Sequence, residues 1–263
     1  MSIFFDLIYI ASVNIAVFSC AWIFCTTISR VSWIDVFWAA SIGMWSIENL
    51  KFWESSFSFF TPLTLISFLY FFWSLRLSTH LSLRLMKHRN REDPRYEKIK
   101  ITNSKNWRKI SFFIFMMNAA LSSLLILPQR LLLWSDTQSL NPTLILGVFL
   151  AILSITLESL ADKQLKTFLS FKNNQGKTCK EGLWRYSRHP NYFFEWSFWM
   201  SISLCVIGYP HGYTALICPL IIYVFLTQFT GIKISEKDAA TSRSDFLEYK
   251  QKTSAFFPLP PKK

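Results

Sequence analysis

Taken as a pattern of apolar and polar positions, the chain alternates long apolar runs with short charged connections. Seven runs approach or exceed the roughly 20 helical residues needed to cross a hydrocarbon layer: 3–28, 33–50, 57–79, 110–134, 142–161, 192–209 and 213–230. Lipid offers no water to backbone N–H and C=O groups, so such runs predict helices that satisfy those groups internally. The expected fold is all-α: a polytopic membrane protein of about seven transmembrane helices, with residues 1–263 as a single domain. Pro128 interrupts the fourth run, and Gly208 to Gly212 predicts a tight turn between the sixth and seventh. Pro190 predicts the start of the sixth helix at 189 or 190, where its missing N–H costs nothing. From Asp238 to Lys252 charges alternate with Phe246, Leu247 and Tyr249, predicting a short amphipathic helix near the headgroups, ended by Phe256-Phe257-Pro258.

Composition agrees with this picture: 51% of the 263 residues are hydrophobic, with 26 Phe and 11 Trp. The net charge of +12 would suit a nucleic-acid binder, but its distribution explains it better. Arg30, the segment 76–109, the segment 163–188 and the tail from Lys233 hold all the Lys and Arg except Lys51 and Arg130. With seven spans these four basic segments fall on one face, which the positive-inside rule makes cytoplasmic. The N-terminus is then outside and the C-terminus inside, the cations face anionic headgroups, and no nucleic-acid partner is expected. The first run has no basic residues before it and is too long for a signal core, so it is expected to be retained as a span.

Several familiar site patterns do not occur. The five cysteines form no CxxC pair, and the four histidines, His80, His88, His189 and His211, form no HExxH, so no metal site is expected. The seven glycines include neither GxGxxG nor a P-loop. A nucleotide would have to be held by side chains and helix ends.

Candidate chemistry concentrates at 183–196, LWRYSRHPNYFFEW. Arg185 and Arg188 precede a helix start whose exposed N–H groups favour anions. Asn191 and Glu195 share one helical face, with Tyr192 beside them. Glu195 lies within an apolar run, where it needs a polar partner: either an internal salt bridge to Arg185, Arg188 or Lys163, or a ligand. Glu158 and Asp162 flank the same loop from the preceding helix. Earlier, Asp35, Glu48 and Asn49 interrupt the second run, and Tyr70 and Trp73 lie in the third. A desolvated carboxyl there can stay protonated and donate to a carbonyl oxygen, although both Asp35 and Glu48 are close enough to a membrane edge to be interfacial.

These residues together resemble the steroid 5-alpha-reductase superfamily, in particular its bacterial membrane branch related to the C-terminal part of 3-oxo-5-alpha-steroid 4-dehydrogenases. The resemblance rests on LESLADKQL from Leu157, GLWRYSRHPNYFFEW, Gly231-Ile232 with Glu236, Tyr249 and Phe257-Pro258, and upstream on FFWSLRLSTHLSLR and EDPRY. It implies an integral protein of the bacterial inner membrane that binds NADPH within about 150–263 and passes hydride to the activated C=C bond of a steroid-like or other lipid enone. Implied cofactor contacts are Asp162, Arg188, His189, Asn191, Tyr192, Glu195, Glu236 and Tyr249. A Glu/Tyr pair on earlier helices polarises the ketone in this family, and Glu48 with Tyr70 is the pair expected here. Phe194 stands where relatives commonly have glycine, which narrows the expected pocket or turns a ring to lipid. An S-adenosylmethionine-dependent methyltransferase similar to the isoprenylcysteine carboxyl methyltransferases shares the RHPxY run and is the second reading. A transporter or assembly protein without chemistry is the third, disfavoured by polar residues gathered at one face.

Overall fold

The computed structural model describes residues 3–50, 58, 60–87, 91–135, 139–229 and 231–262. Lys51 and His88, which entered the sequence argument above, lie outside the described residues. The helices are α1 Ile3–Thr27, α2 Ile34–Leu50, α3 Pro62–Lys87, α4 Pro94–Thr102, α5 Trp107–Leu125, α6 Leu127–Leu133, α7 Pro142–Ser170, α8 Pro190–Val206, α9 Ile217–Val224, α10 Ile232–Ser242 and α11 Phe246–Lys252. A π-helical turn at Phe225–Phe229 follows α9. Among the described residues there is no strand, only an isolated bridge between Ser187 and Ser254.

Four helical stretches are long and apolar enough to cross a membrane: Ile3–Thr27, Ser104–Leu133, Pro142–Ser170 and Gly212–Ser242. They make this an integral membrane protein. The other expected spans also lie largely in helices, but α2 and α8 are 17 residues each, and α3 carries Arg76, His80, Arg84 and Lys87 in its second half. The expected amphipathic tail helix is divided in two, α10 and α11, because Arg243 is extended and Asp245 starts a new helix.

The chain falls into two compact units, Met1–Asn141 with Val206–Gly212, and Pro142–Cys205 with Tyr213–Lys263. In the first, α1 turns Asp6, Ile10, Asn14, Phe18, Ala21 and Cys25 inward at helical spacing and leaves Phe4, Phe5, Ile8, Ile15, Ile23 and Phe24 exposed. Polar groups inside and large apolar ones outside suit a lipid surround. Asn14 donates to Ser123 Oγ of α5 at 2.8 Å and accepts from Trp45 Nε1 of α2 at 3.0 Å, tying three helices together. α2 and α3 approach through Ser74, whose hydroxyl donates to the Ala39 carbonyl at 2.7 Å, and through an edge-to-face contact of Trp38 with Trp73.

Pro128 breaks the fourth expected span as anticipated, separating α5 from α6. The Gln129 N–H bonds Ile126 instead of continuing the ladder to Leu125, and the Tyr70 hydroxyl donates to the Leu125 carbonyl at 2.6 Å. A backbone group released at a proline inside lipid needs such a partner.

In the second unit, α7 buries Leu144, Gly147, Ala151, Ser154, Glu158 and Ala161 and exposes Ile145, Leu146, Phe149, Ile152 and Leu153. The buried stripe consists mostly of small residues, which lets α8 approach closely. A Cβ at Gly147 would come 2.7 Å from the Cys205 nitrogen and 2.8 Å from the Ser201 carbonyl oxygen. Backbone atoms cannot swing aside, so Gly147→Ala must separate the two helices. The expected cost is about 1–3 kcal/mol, checked by thermal unfolding in detergent; an unchanged midpoint would contradict this packing.

Candidate functional site

The 183–196 stretch forms a short helical turn at Gly182–Arg185, an extended link and the first turns of α8, which starts at Pro190. The second unit's tail clamps it. Ser187 Oγ donates to the Phe256 carbonyl at 2.8 Å, the Arg188 N–H to Ser254 at 2.8 Å, and the Leu259 N–H to Tyr186 at 2.9 Å. Phe256 and Phe257 pack edge-on against Phe193 and Trp196 of α8, with centroids 5.7–5.9 Å apart.

Arg188 is the centre of this clamp. Its Nε donates to Glu236 Oε1 at 2.8 Å, its Nη2 lies 2.7 Å from the same oxygen, and its Nη1 donates to the carbonyls of Lys250, at 3.0 Å, and Thr253. Glu236 is also met by Lys250 Nζ at 3.1 Å, and His189 Nε2 lies 3.5 Å away. Burial pushes the His189 imidazole below its usual value, against the pull of the Glu236 carboxylate, so the ring is neutral at pH 7. It stacks on Tyr192 at 5.3 Å with the rings nearly parallel. The Tyr249 hydroxyl donates to the Trp184 carbonyl and lies 3.2 Å from that of Ser187. Burial holds the phenol well above its ordinary pKa, so it remains a donor.

Four expected site residues, Arg188, His189, Glu236 and Tyr249, are thus brought together, and Tyr192 adjoins them. Asn191 Nδ2 donates to Asp162 Oδ1 at 3.2 Å, linking α8 to α7. Glu195, buried, meets Trp199 on its own helix: the indole N–H donates to Oε1 at 2.8 Å. Phe194 is itself buried and packs edge-on against Phe193.

In the same unit a cavity of about 520 Å³ is lined by Lys163, Gln164 and Phe168 of α7, by Phe171 just past its end, and by Glu181 and Gly182. Gln164 fixes its wall by accepting the Leu183 N–H at 3.0 Å, and Trp184 Nε1 donates to the Ala161 carbonyl at 2.9 Å. Gly182 has φ +58°, and a Cβ there would meet the Gln164 amide at 2.4 Å, so both conformation and space select glycine. The residues sequence reasoning passed over are those that organise the loop: Ser187, Gln164, and Asp245, which accepts from the Thr178 N–H at 3.0 Å and pairs with Lys180 at 3.0 Å. Nothing local in sequence marks a partnership across 67 positions.

In the first unit, Glu48 lies 2.9 Å from Arg130 Nη2 and is half exposed at the side chain. Arg130 is buried, donates to Asn49 Oδ1 at 3.2 Å, lies 3.7 Å from Asp6, and stands over the Trp45 ring at 5.3 Å. Asp35 is met by Arg95 at 2.8 Å and by the Tyr96 hydroxyl at 2.7 Å. Both acids of α2 therefore have cationic partners, which the sequence did not assign. Among the described residues no group of three or more His, Cys, Asp or Glu is placed to hold a metal ion.

No curated protein matches the chain, and no solved structure does. One family, described as "Protein of unknown function (DUF1295)", matches over residues 21–253. That span covers most of the chain and includes α2 to α11 and the whole clamped stretch around Arg188. The chain accordingly belongs to the DUF1295 family, a steroid 5-alpha-reductase-like family of membrane proteins.

Proposed function

We propose that this protein is an NADPH-dependent membrane reductase that adds hydrogen across the activated C=C bond of a lipid enone. The observation that carries the reading is the cavity along α7, walled by the loop that leads into the clamped 183–196 stretch, in a chain of a reductase-like family. Its volume lies in the range of small-molecule sites, about 300–1,000 Å³. Its lining fits part of a phosphorylated dinucleotide: Lys163 supplies a cation for phosphate, Phe168 and Phe171 supply ring faces for a base, and Gln164 and Asn174 supply amides. Arg188 is committed to Glu236 and to carbonyls, so its part is to hold the loop in shape, while the exposed Arg185 and Lys163 are the available cations. The bound cofactor supplies the hydride. Tyr192, supported by the His189 stack, and Asn191, anchored to Asp162, lie outside the cavity's lining, and their proposed part is to meet the portion of the cofactor that extends beyond it.

The polarising role of Glu48 and Tyr70 is a separate proposal within the first unit. We further propose seven spans, with the N-terminus outside and the basic loops and C-terminus cytoplasmic, in a bacterial inner membrane.

Titrating the detergent-purified protein with NADPH, and separately with S-adenosylmethionine, tests the reading. Saturable NADPH binding that weakens about tenfold, or about 1.4 kcal/mol, in each of Lys163→Ala and Asn191→Ala is expected. S-adenosylmethionine binding in its place would assign a methyltransferase, and binding of neither would remove the enzyme reading.

A further inference from the structure

We infer that α4 and the turn after it form a docking platform for anionic phospholipid headgroups, independently of the function proposed above. The observation is a segregation of charge. Glu92 turns inward, accepting the Val31 and Ser32 N–H groups at 2.6 and 3.2 Å. Asp93 caps α4 through the Arg95 N–H at 3.0 Å and pairs with the side chains of Arg84 and Arg95. Burial alone would raise the Asp93 carboxyl, but the hydrogen bonds and charges of Arg95, with Arg84, hold it below its usual value, so it stays ionised and latched. Arg95, the cation that turns inward, joins Asp93 to Asp35, and Tyr96 buries itself against the same carboxylate.

The outward surface is left with Arg91, Lys98, Lys100, Lys105, Arg108 and Lys109, all exposed, against Glu97 as the exposed acid. Ile101, 71% exposed, projects from the same helix. A solvated connection has no use for a large apolar side chain among cations, whereas an interfacial helix uses both. Arg108 fixes the level of this surface. Its guanidinium stands 5.6 Å over the Trp22 ring of α1, and the Trp22 indole donates to Ser111 of α5 at 3.0 Å. An arginine and a tryptophan at the ends of two apolar helices, with Phe24 and Phe113 exposed nearby, mark a membrane boundary. The platform therefore lies where headgroups are. A second copy of the chain would bring like charges together, which the anionic lipid does not.

The test uses the full chain in detergent with an environment-sensitive fluorophore on Ile101→Cys, in a Cys20→Ser background that removes an exposed thiol. Phosphatidylglycerol or phosphatidylcholine is titrated into the micelles. Phosphatidylglycerol should shift the emission to the blue and phosphatidylcholine should not. The phosphatidylglycerol needed for half the shift should rise about fivefold for each of Lys98→Gln, Lys100→Gln and Lys105→Gln, and the response should fade in high salt. Thermal unfolding of the lysine variants, unchanged because these side chains are exposed, guards against misfolding. Equal responses to both lipids, indifference to the lysine changes, or a shift that follows protein concentration instead of lipid would each overturn the proposal.

Discussion

Arg188→Ala is expected to release the C-terminal tail from the 183–196 stretch and to lower stability by about 3–5 kcal/mol, the usual penalty for removing one partner of a buried ion pair. Two effects add. Glu236, buried beside Arg188, loses its closest cation, and the carbonyls of Lys250 and Thr253 lose their donors. With them goes the register in which Ser187 bonds Phe256 and Tyr249 bonds Trp184. Thermal unfolding should show the loss, and limited proteolysis should cut between α11 and the C-terminus far faster than in wild type. Arg188→Lys should recover little, because a single ammonium cannot reach a carboxylate and two carbonyls in a planar fork. A variant with wild-type stability but lost NADPH binding would move Arg188 from the scaffold to the ligand, reversing the assignment made from the geometry.

Arg130→Ala should be comparably severe in the first unit, also about 3–5 kcal/mol. Arg130 is 2% exposed and meets Glu48, Asn49, Asp6 and the Trp45 ring. Its removal leaves Asp6, itself buried, still accepting from the Trp134 indole at 3.0 Å but without the guanidinium beside it, and opens a cavity where that guanidinium was stacked. The Glu48 pair contributes the smaller part, since that carboxylate is half exposed and the solvent or headgroup region screens it. The double variant Arg130→Met with Asp6→Asn should recover much of the loss by removing both charges. Unfolding midpoints for the two single variants and the double variant measure this coupling; strict additivity would show that the contact is not energetically shared.

Sequence and structure agree where local chemistry decides and part where distant residues meet. Pro190 and Pro128 were readable because proline's missing N–H acts at its own position, and both stand where helices begin or break. Arg188 was readable as important, and Glu236 and Tyr249 as companions by resemblance, yet the reason was not: the arginine faces inward to the tail instead of standing open to a phosphate. Glu195 was expected to need a polar partner, and one partner is the indole four residues on, a local pairing that the search for cations overlooked. Asp35 and Glu48 read as solitary carboxyls in an apolar run because their arginines lie 60 and 82 positions away. Tyr70, expected as a polarising group, donates to the Leu125 carbonyl beside the break at Pro128, a contact across 55 positions that no local pattern announces.

The sequence by itself determined that the chain is helical and membrane-bound, because the length of an apolar run and the cost of an unsatisfied backbone group in lipid need no knowledge of neighbours. It also determined which segments are basic and where the polar chemistry clusters. Only the tertiary structure decided which cations answer which acids, which hydroxyl caps which broken helix, and that the tail folds back over the 183–196 stretch. Those are contacts between positions tens of residues apart, fixed by packing and by the need to match every buried charge, and no local pattern encodes them.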